Sequence, residues 1–326
     1  MTSDNAIRKK NRFVAQILTG EKVDDIFILC GKSVSHKRDG TAYLTLALAD
    51  KSGQIKGIAW DNVESIARCA DPGDYVAVDA AAGEYRGAVQ LVIRSMQRVS
   101  DEAVFAGDYL PASSRNVDQM FERLKALTDR MASAPLQALM DAFWTDSAFV
   151  RRFKQAPAAK KMHHAYLGGL LEHTLSMALL SEKIAGHYSG LDRDLLLAGV
   201  ILHDIGKVHE LTYSQVIDYT DEGRLLSHIV IGVEMLTAKI ACVDDFPPAQ
   251  AALLKHMLIS HHGAREFGSP EPPKTIEAVL LNYIDEIDSR VNAIREFMAS
   301  EDPSAAWTAY HRLLERHFYR GETPMK

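Results

Sequence analysis

Apolar and polar positions along the chain follow two different periods. Between residues 24 and 100 they alternate or gather in short β-branched runs, DDIFILCGKSVSHK, TAYLTLALADKSG and QIKGIAW, with turn signals at DG and KSG between them. Period-two alternation marks a strand with one buried face. DNVESIARCA then shows a short helical pattern, and PGDYVAVDAAAGEYRGAVQLVIRSMQRV predicts two more strands around the turn EYRG.

Five short strands with one helix before the fourth match an OB-fold, a small Greek-key β-barrel whose face often binds oligonucleotides. The barrel is expected over 1–100. Residues 101–115, DEAVFAGDYLPASSR, lose periodicity and predict a linker. From 116 the period changes to three and four in NVDQMFERLKALTDRM, LGGLLEHTLSMALLSEKIA and TIEAVLLNYIDEIDSRVNAIREFM. That predicts an all-α bundle over 116–326, helical nearly to its end. The fold class is therefore multidomain α and β, a five-stranded OB-fold barrel followed by a helical domain. One Pro/Gly-rich loop, REFGSPEPPKT, interrupts the helical half directly after HHG.

Composition refines this picture only modestly. With 47% hydrophobic and 25% charged residues the chain is globular, not disordered or fibrous. No apolar run approaches the roughly 18 residues of a membrane span. The opening MTSDNAIRKKNRF lacks the apolar core of a secretory signal. The three cysteines are far apart and form no C-x-x-C pair, so a reducing cytoplasm is expected. The net charge of −6 is uneven: residues 1–100 hold 14 basic and 12 acidic groups, so the excess of acid lies in the helical half. A basic groove can still exist within an acidic total, because the field is local.

The helical half places histidines and aspartates in apolar surroundings at five points. They are GGLLEHT (His173), ILHDIGK (His203, Asp204), SHIVIG (His228), ISHHG (His261, His262) and NYIDEID (Asp285). An unpaired buried polar group costs about 1–3 kcal/mol, and a charge costs more. A lone histidine in such a place is usually a satisfied core or surface group. A whole set calls for a common partner, and a divalent cation compensates several imidazoles and carboxylates at once. Neighbours on a helix diverge by about 100°, so His203 and Asp204 share a centre only if it lies at the helix flank. A carboxylate there can bridge two cations held roughly 3.5–4 Å apart, an arrangement suited to hydrolysis at phosphorus.

The order H…HD…H…H…D resembles the HD superfamily of metal-dependent phosphohydrolases over about 160–295. By that resemblance His173, His203, Asp204 and Asp285 hold a first metal. His228 and His261 hold a second, with His262 as a substitute or addition, and Asp204 bridges. The cofactor is one or two divalent ions drawn from Mn, Fe, Mg, Co, Ni or Zn. The segments KKMHHAYLGGLLEHT, LSHIVIGVEML, LKHMLISHHG…FGSPEPPKTIEA and LNYIDEIDSRV, together with the preceding barrel, further resemble the YhaM family of 3′-to-5′ exoribonucleases. That implies hydrolysis of single-stranded RNA, or DNA, from the 3′ end to nucleoside monophosphates.

Further residues fall around this site. Lys207 lies one turn after Asp204 and is expected to meet a substrate phosphate. His164, at the mouth of the helix that follows Gly168-Gly169, is a candidate contact to substrate or metal. Glu172 precedes His173 and is a candidate partner. The run RRFKQAPAAKKMHH places Arg151, Arg152, Lys160 and Lys161 before the site, a candidate path for a phosphate backbone. In the barrel Tyr43, Trp60 and Tyr85 are candidates for base stacking, although barrel aromatics are more often core. No P-loop and no G-x-S-x-G elbow is present. Two rival readings remain. One is a phosphohydrolase of small nucleotides with the barrel as a regulatory or assembly module; the other is an RNA-binding protein without catalysis. No membrane partner is expected, and a homo-oligomer is an open alternative.

Overall fold

The structure, a computed structural model, describes residues 10–37, 39–85, 87–160, 163–213, 216–301 and 305–321. The chain divides into two compact units, Met1–Ala112 with Tyr213–Ile217, and Ser113–Thr212 with Asp218–Lys326.

The first unit is a closed barrel of β1 (Lys22–His36), β2 (Ala42–Asp50), β3 (Gly53–Ala59), β4 (Tyr75–Tyr85) and β5 (Ala88–Val99), ordered β1-β2-β3-β5-β4, with α1 (Val63–Cys69) between β3 and β4. All neighbours are antiparallel except β3 and β5, whose parallel pairing of Lys56 with Gln90 through Ile58 with Val92 closes the barrel. The pleat explains the alternation in the sequence. Leu44, Leu46 and Leu48 of β2 point inward with Phe27, Leu29, Val76, Val78, Leu91 and Ile93, while Tyr43, Thr45 and Ala47 point outward. The alanine-rich β4 contributes Ala80 and Ala82 to the same interior. At one edge of the barrel the buried Lys10 ammonium lies 3.4 Å from Asp50 and 3.8 Å from Asp25, and it donates to the Ile26 carbonyl at 2.5 Å.

The linker expected over 101–115 is in part a packed extension of this unit. Val104 and Tyr109 join Ile26, Ile28 and Tyr75 in a small apolar cluster, and the rings of Tyr75 and Tyr109 meet at 4.8 Å. Short 3-10 turns at Asp101–Ala103 and Ala106–Asp108 carry these isolated anchors, which is why no period is visible.

The second unit contains α2 (Val117–Thr128), α3 (Ala134–Trp144), α4 (Ser147–Gln155), α5 (Gly169–His187), α6 (Arg193–Leu202), α7 (Lys207–Glu210), α8 (Asp221–Ile240), α9 (Pro248–Ser260) and α10 (Ile276–Ser300). Side chains of Asn116, Asp146, Asp192, Thr220 and Thr275 cap α2, α4, α6, α8 and α10 by accepting from backbone N–H groups of the first turn. Helix α6 is buried along residues 194–202 and forms the centre of the bundle. Among the described residues no helix is long and apolar enough to cross a membrane.

The expectation of helix nearly to the end is corrected. Helix α10 stops at Ser300, and the described part of the tail pairs antiparallel at Trp307 with Tyr319 and at His311 with Arg316. Trp307, Tyr310 and Leu313-Leu314 recur at three and four and so imitate a helix, but cross-strand bonds from Thr308 N–H to the Phe318 carbonyl and from Arg320 N–H to the Ala306 carbonyl decide the backbone.

Candidate metal centre

The centre gathers side chains from five elements. His173 comes from the second turn of α5, and His203 and Asp204 follow the last residue of α6. His228 comes from α8, His261 caps the C-terminus of α9, and Asp285 comes from α10. Two of the local shapes explain the HDIGK stretch. Gly206 lies where a β-carbon would overlap the His228 carbonyl oxygen, so only glycine lets α8 approach the turn after Asp204. Ser227 breaks α8 with φ 61°, and the freed N–H of His228 donates to Glu210 Oε1 at 2.9 Å.

Asp204 stands in the middle, and its two oxygens face different partners. Oδ2 lies 3.2 Å from His203 Nε2 and 3.9 Å from His173 Nε2. Oδ1 lies 3.5 Å from His228 Nε2 and 3.7 Å from His261 Nε2. Asp285 Oδ1 is 3.4 Å from His173 Nε2. The His262 ring packs 4.2 Å from that of His261 and 5.2 Å from that of His228, so three imidazoles cluster on the Oδ1 side.

Every principal imidazole is held by its other nitrogen. His203 Nδ1 meets the Val200 carbonyl at 2.8 Å and His261 Nδ1 the Leu258 carbonyl at 2.7 Å. A carbonyl only accepts, so Nδ1 carries the proton and Nε2 presents a lone pair. His173 Nδ1 meets Asp288 Oδ2 at 2.8 Å, and His228 Nδ1 meets Glu210 Oε1 at 3.0 Å. Carboxylates behind metal-binding histidines orient the ring and raise its basicity.

These donors fit divalent cations. Among the described residues, Nε2 of His203, His228 and His261, Nδ1 of His262 and Oδ1 of Asp204 are buried without a hydrogen-bond partner. Such atoms are costly unless a ligand satisfies them. Ligand atoms about 2.1 Å from one cation stand roughly 3–3.5 Å from each other, close to the separations around Asp204. The negative ends of α6 and α9 point the same way, since His203 and His261 occupy their C-caps.

Electrostatics separates the two sides. Burial opposes charge on His173, but the carboxylates of Asp285 and Asp288 and the charge of Asp204 overcome it and raise its pKa to about 9. Burial pushes His261 well below the usual imidazole value, with the His203 and His262 charges adding to it. Burial alone would raise the Asp204 carboxyl; the neighbouring His203 and Lys207 hold it well below the usual carboxylate range.

Other sequence candidates are placed differently. Lys207 donates to Asp204 Oδ2 at 2.6 Å, so its ammonium sits at the centre itself. His164 lies against the first residue of α5 and is 1% exposed, with Nε2 3.1 Å from Asp288 and Nδ1 2.8 Å from the Tyr166 hydroxyl. Its backbone φ of 57° turns the chain back under Gly169, placing it behind the relay carboxylate. Glu172 faces Ser113 at 2.6 Å and Arg115 at 3.2 Å. A further histidine of α9, His256, uses its Nε2 to accept from the Lys274 N–H at 2.9 Å. Arg151 and Arg152 are exposed on α4, with Arg152 2.7 Å from His209 Nδ1, and Lys160 is paired with Asp218 at 2.6 Å. Lys161 lies outside the described residues. The relay residues Asp288 and Glu210 were missed by spacing, although Asp288 follows Asp285 by one turn and Glu210 ends the run HDIGKVHE.

On the barrel, Tyr43 and Trp60 pair on the outer surface with ring centroids 5.2 Å apart, and the Lys37 ammonium lies 4.4 Å over the Trp60 ring. Tyr85 is 53% exposed at the end of β4. A groove of about 520 Å³ runs beside Lys32, Thr45, Gln54 and Lys56.

Residues 27–99 match the family model of an OB-fold nucleic acid binding domain, and residues 170–290 match that of the HD domain. Fold and site thus define an HD-domain protein that carries an OB-fold at its N-terminal side. The 3′-5′ exoribonuclease YhaM of Bacillus subtilis (strain 168) is 35% identical over 302 residues, covering 92% of this chain and 95% of that protein. The 3′-5′ exoribonucleases YhaM of Geobacillus sp. (strain WCH70), at 34% with 92% of both chains covered, and of Listeria monocytogenes serotype 4b, at 35% with 92% and 95% covered, are similar to it as well. The chain belongs to the YhaM family of 3′-5′ exoribonucleases.

Proposed function

We propose that this protein is a metal-dependent 3′-5′ exoribonuclease that hydrolyses single-stranded RNA to nucleoside monophosphates. The observation that carries the chemistry is Asp204, whose Oδ2 faces His203 and His173 and whose Oδ1 faces His228 and His261, with Nε2 of His203, His228 and His261 unpartnered. His173, His203 and Asp285 with Asp204 Oδ2 would hold one cation; His228, His261 and His262 with Asp204 Oδ1 would hold a second. A bound divalent cation supplies Lewis acidity and an activated water, the chemistry that phosphodiester hydrolysis needs. The imidazole-rich donors favour Mn, Fe, Co, Ni or Zn over Mg. Nδ1 contacts fix the rings, Asp288 and Glu210 hold two of them, and Lys207 keeps positive charge beside Asp204, where a substrate phosphate gains by it.

The barrel surface favours a polymer over a free nucleotide. The exposed Tyr43–Trp60 pair and the adjacent groove offer ring faces and cations along a strand, features a mononucleotide does not need. Among the described residues Arg151 and Arg152 are the remaining members of the proposed basic path, because Asp218 neutralises Lys160. The test is incubation of 5′-labelled RNA, the same sequence as DNA, and free nucleotides, each with added metal or with chelator. Stepwise 3′ shortening of RNA that chelator stops supports the reading. Turnover of free nucleotides alone would replace it with the small-nucleotide hydrolase.

A further inference from the structure

The tail after α10 builds a surface that the metal centre does not use. Trp307 and Tyr319 stand directly opposite on paired strands, with ring centroids 4.9 Å apart, and they are 59% and 57% exposed. Tyr310 and His317 form a neighbouring ring pair at 5.3 Å. The inward side is fixed: His311 and Phe318 pack on Phe297 of α10, at 4.5 and 6.4 Å. The Thr308 hydroxyl accepts from the Phe318 N–H, and the His317 ring contacts the Thr308 carbonyl. The outward rings are therefore held on a braced scaffold. Over 305–321 the chain carries Arg312, Arg316 and Arg320 against the single acid Glu315, within a protein of net charge −6.

We propose that this aromatic and arginine-bearing tail is a second contact for single-stranded nucleic acid, with bases stacking on Trp307 and Tyr319 and phosphates meeting Arg312 and Arg316. Exposed rings accept any base through its π-face, and the exposed guanidiniums of Arg312 and Arg316, on the turn that joins the two paired segments, can track the backbone. Self-association through the same face would bring the arginines of two copies together, so charge favours a polyanion over a second copy. Leu313, 71% exposed at the tip, is the one large aliphatic side chain in the patch. Helix α10 joins the tail to the centre. Twelve residues separate Asp285 from Phe297, about 18 Å along the axis. A dinucleotide held at the metal centre is too short to reach the tail, whereas a longer strand reaches both.

The proposal rests on the exoribonuclease reading for its physiological substrate, but its test does not need turnover. Labelled single-stranded RNA is titrated with the full chain in chelator and followed by anisotropy, for wild type, Trp307→Ala/Tyr319→Ala and Trp307→Phe/Tyr319→Phe. Stacking values lead to a 5- to 150-fold loss of affinity per ring, roughly, in the alanine protein and near-complete rescue by phenylalanine. Arg312→Gln/Arg316→Gln should flatten the salt dependence of log affinity by about 0.7 per lost contact. With metal added, KM for long RNA should rise while dinucleotide cleavage stays unchanged, which also shows that the bundle is intact. Unchanged RNA affinity in the alanine protein overturns the proposal. So does a loss of affinity that tracks a fall in oligomeric mass by light scattering, which would assign the face to self-association. If wild type binds RNA in a tail-dependent way yet never shortens it, the tail contact stands and the exoribonuclease reading falls.

Discussion

Both units bury charge, and they treat it in opposite ways. In the barrel unit the ammonium of Lys10 is enclosed among Asp25, Asp50 and the Ile26 carbonyl, so the buried charges answer one another. In the helical unit His203, His228 and His261 each use Nδ1 on the protein and keep a buried Nε2 without a hydrogen-bond partner. A buried charge that the chain neutralises is structural; a converging set that it leaves unanswered specifies a ligand. The barrel's candidate contact groups, Tyr43, Trp60 and Lys37, lie outside its aliphatic interior, whereas the candidate ligands of the helical unit replace part of its core.

The contrast can be broken at its strongest point first. Asp204→Ala or His203→Ala should lower RNA hydrolysis by well over a hundredfold with the circular-dichroism spectrum unchanged, because loss of a supporting residue alone costs about 10–100-fold. Near-normal turnover in either variant would remove the metal assignment. Lys10→Met should do the reverse. It strands two buried carboxylates, costs about 3–5 kcal/mol of barrel stability in denaturant titration, and spares dinucleotide cleavage. Asp288→Asn should reduce metal affinity or activity about 10–100-fold, measured by metal titration, since it loosens the His173 ring without removing a ligand.

Smaller effects sharpen the same division. His261→Leu removes a buried, unpartnered nitrogen but also the Nδ1–H bond to the Leu258 carbonyl, so the two effects offset and the metal-free protein should change by less than about 1 kcal/mol in thermal melts, while activity is lost. A destabilisation well beyond that would mean that the ring serves the fold. An alkaline limb is expected in the barrel. Burial, then the charge of Asp101, pushes Tyr75 up to about 12. The folded state therefore favours the neutral phenol. Its contribution is complete below the unfolded value of about 10 and is lost as pH rises through about 12. Barrel unfolding in that window should be weaker in Tyr75→Phe, as followed by tyrosine absorbance.

Much of this division is readable in the sequence where one physical signal dominates. The strands over 24–100 follow from pleat alternation, and the ligand set follows from polar groups inside apolar runs. The relay carboxylates were not readable, because Asp288 and Glu210 look like ordinary helix-surface acids until the fold sets His173 and His228 against them. The burial of His164 was not readable for a related reason: a left-handed residue reverses the chain there, and spacing carries no trace of that. The tail failed through a coincidence of period, since cross-strand partners spaced unevenly around a tight turn resemble a helical stripe.

The origin of the five contributing elements sets an order of events during synthesis. The barrel strands end at Val99 and their packed extension by Ala112, so that unit has all its parts once the first third of the chain has emerged, apart from the short segment Tyr213–Ile217. The metal centre is drawn from His173 through Asp285, and its last oxygen donor arrives on α10. A nascent chain can therefore carry all five barrel strands while its candidate cation site still lacks a wall. A ribosome-bound fragment ending before α10 would hold every barrel strand and yet lack Asp285 and the relay carboxylate Asp288.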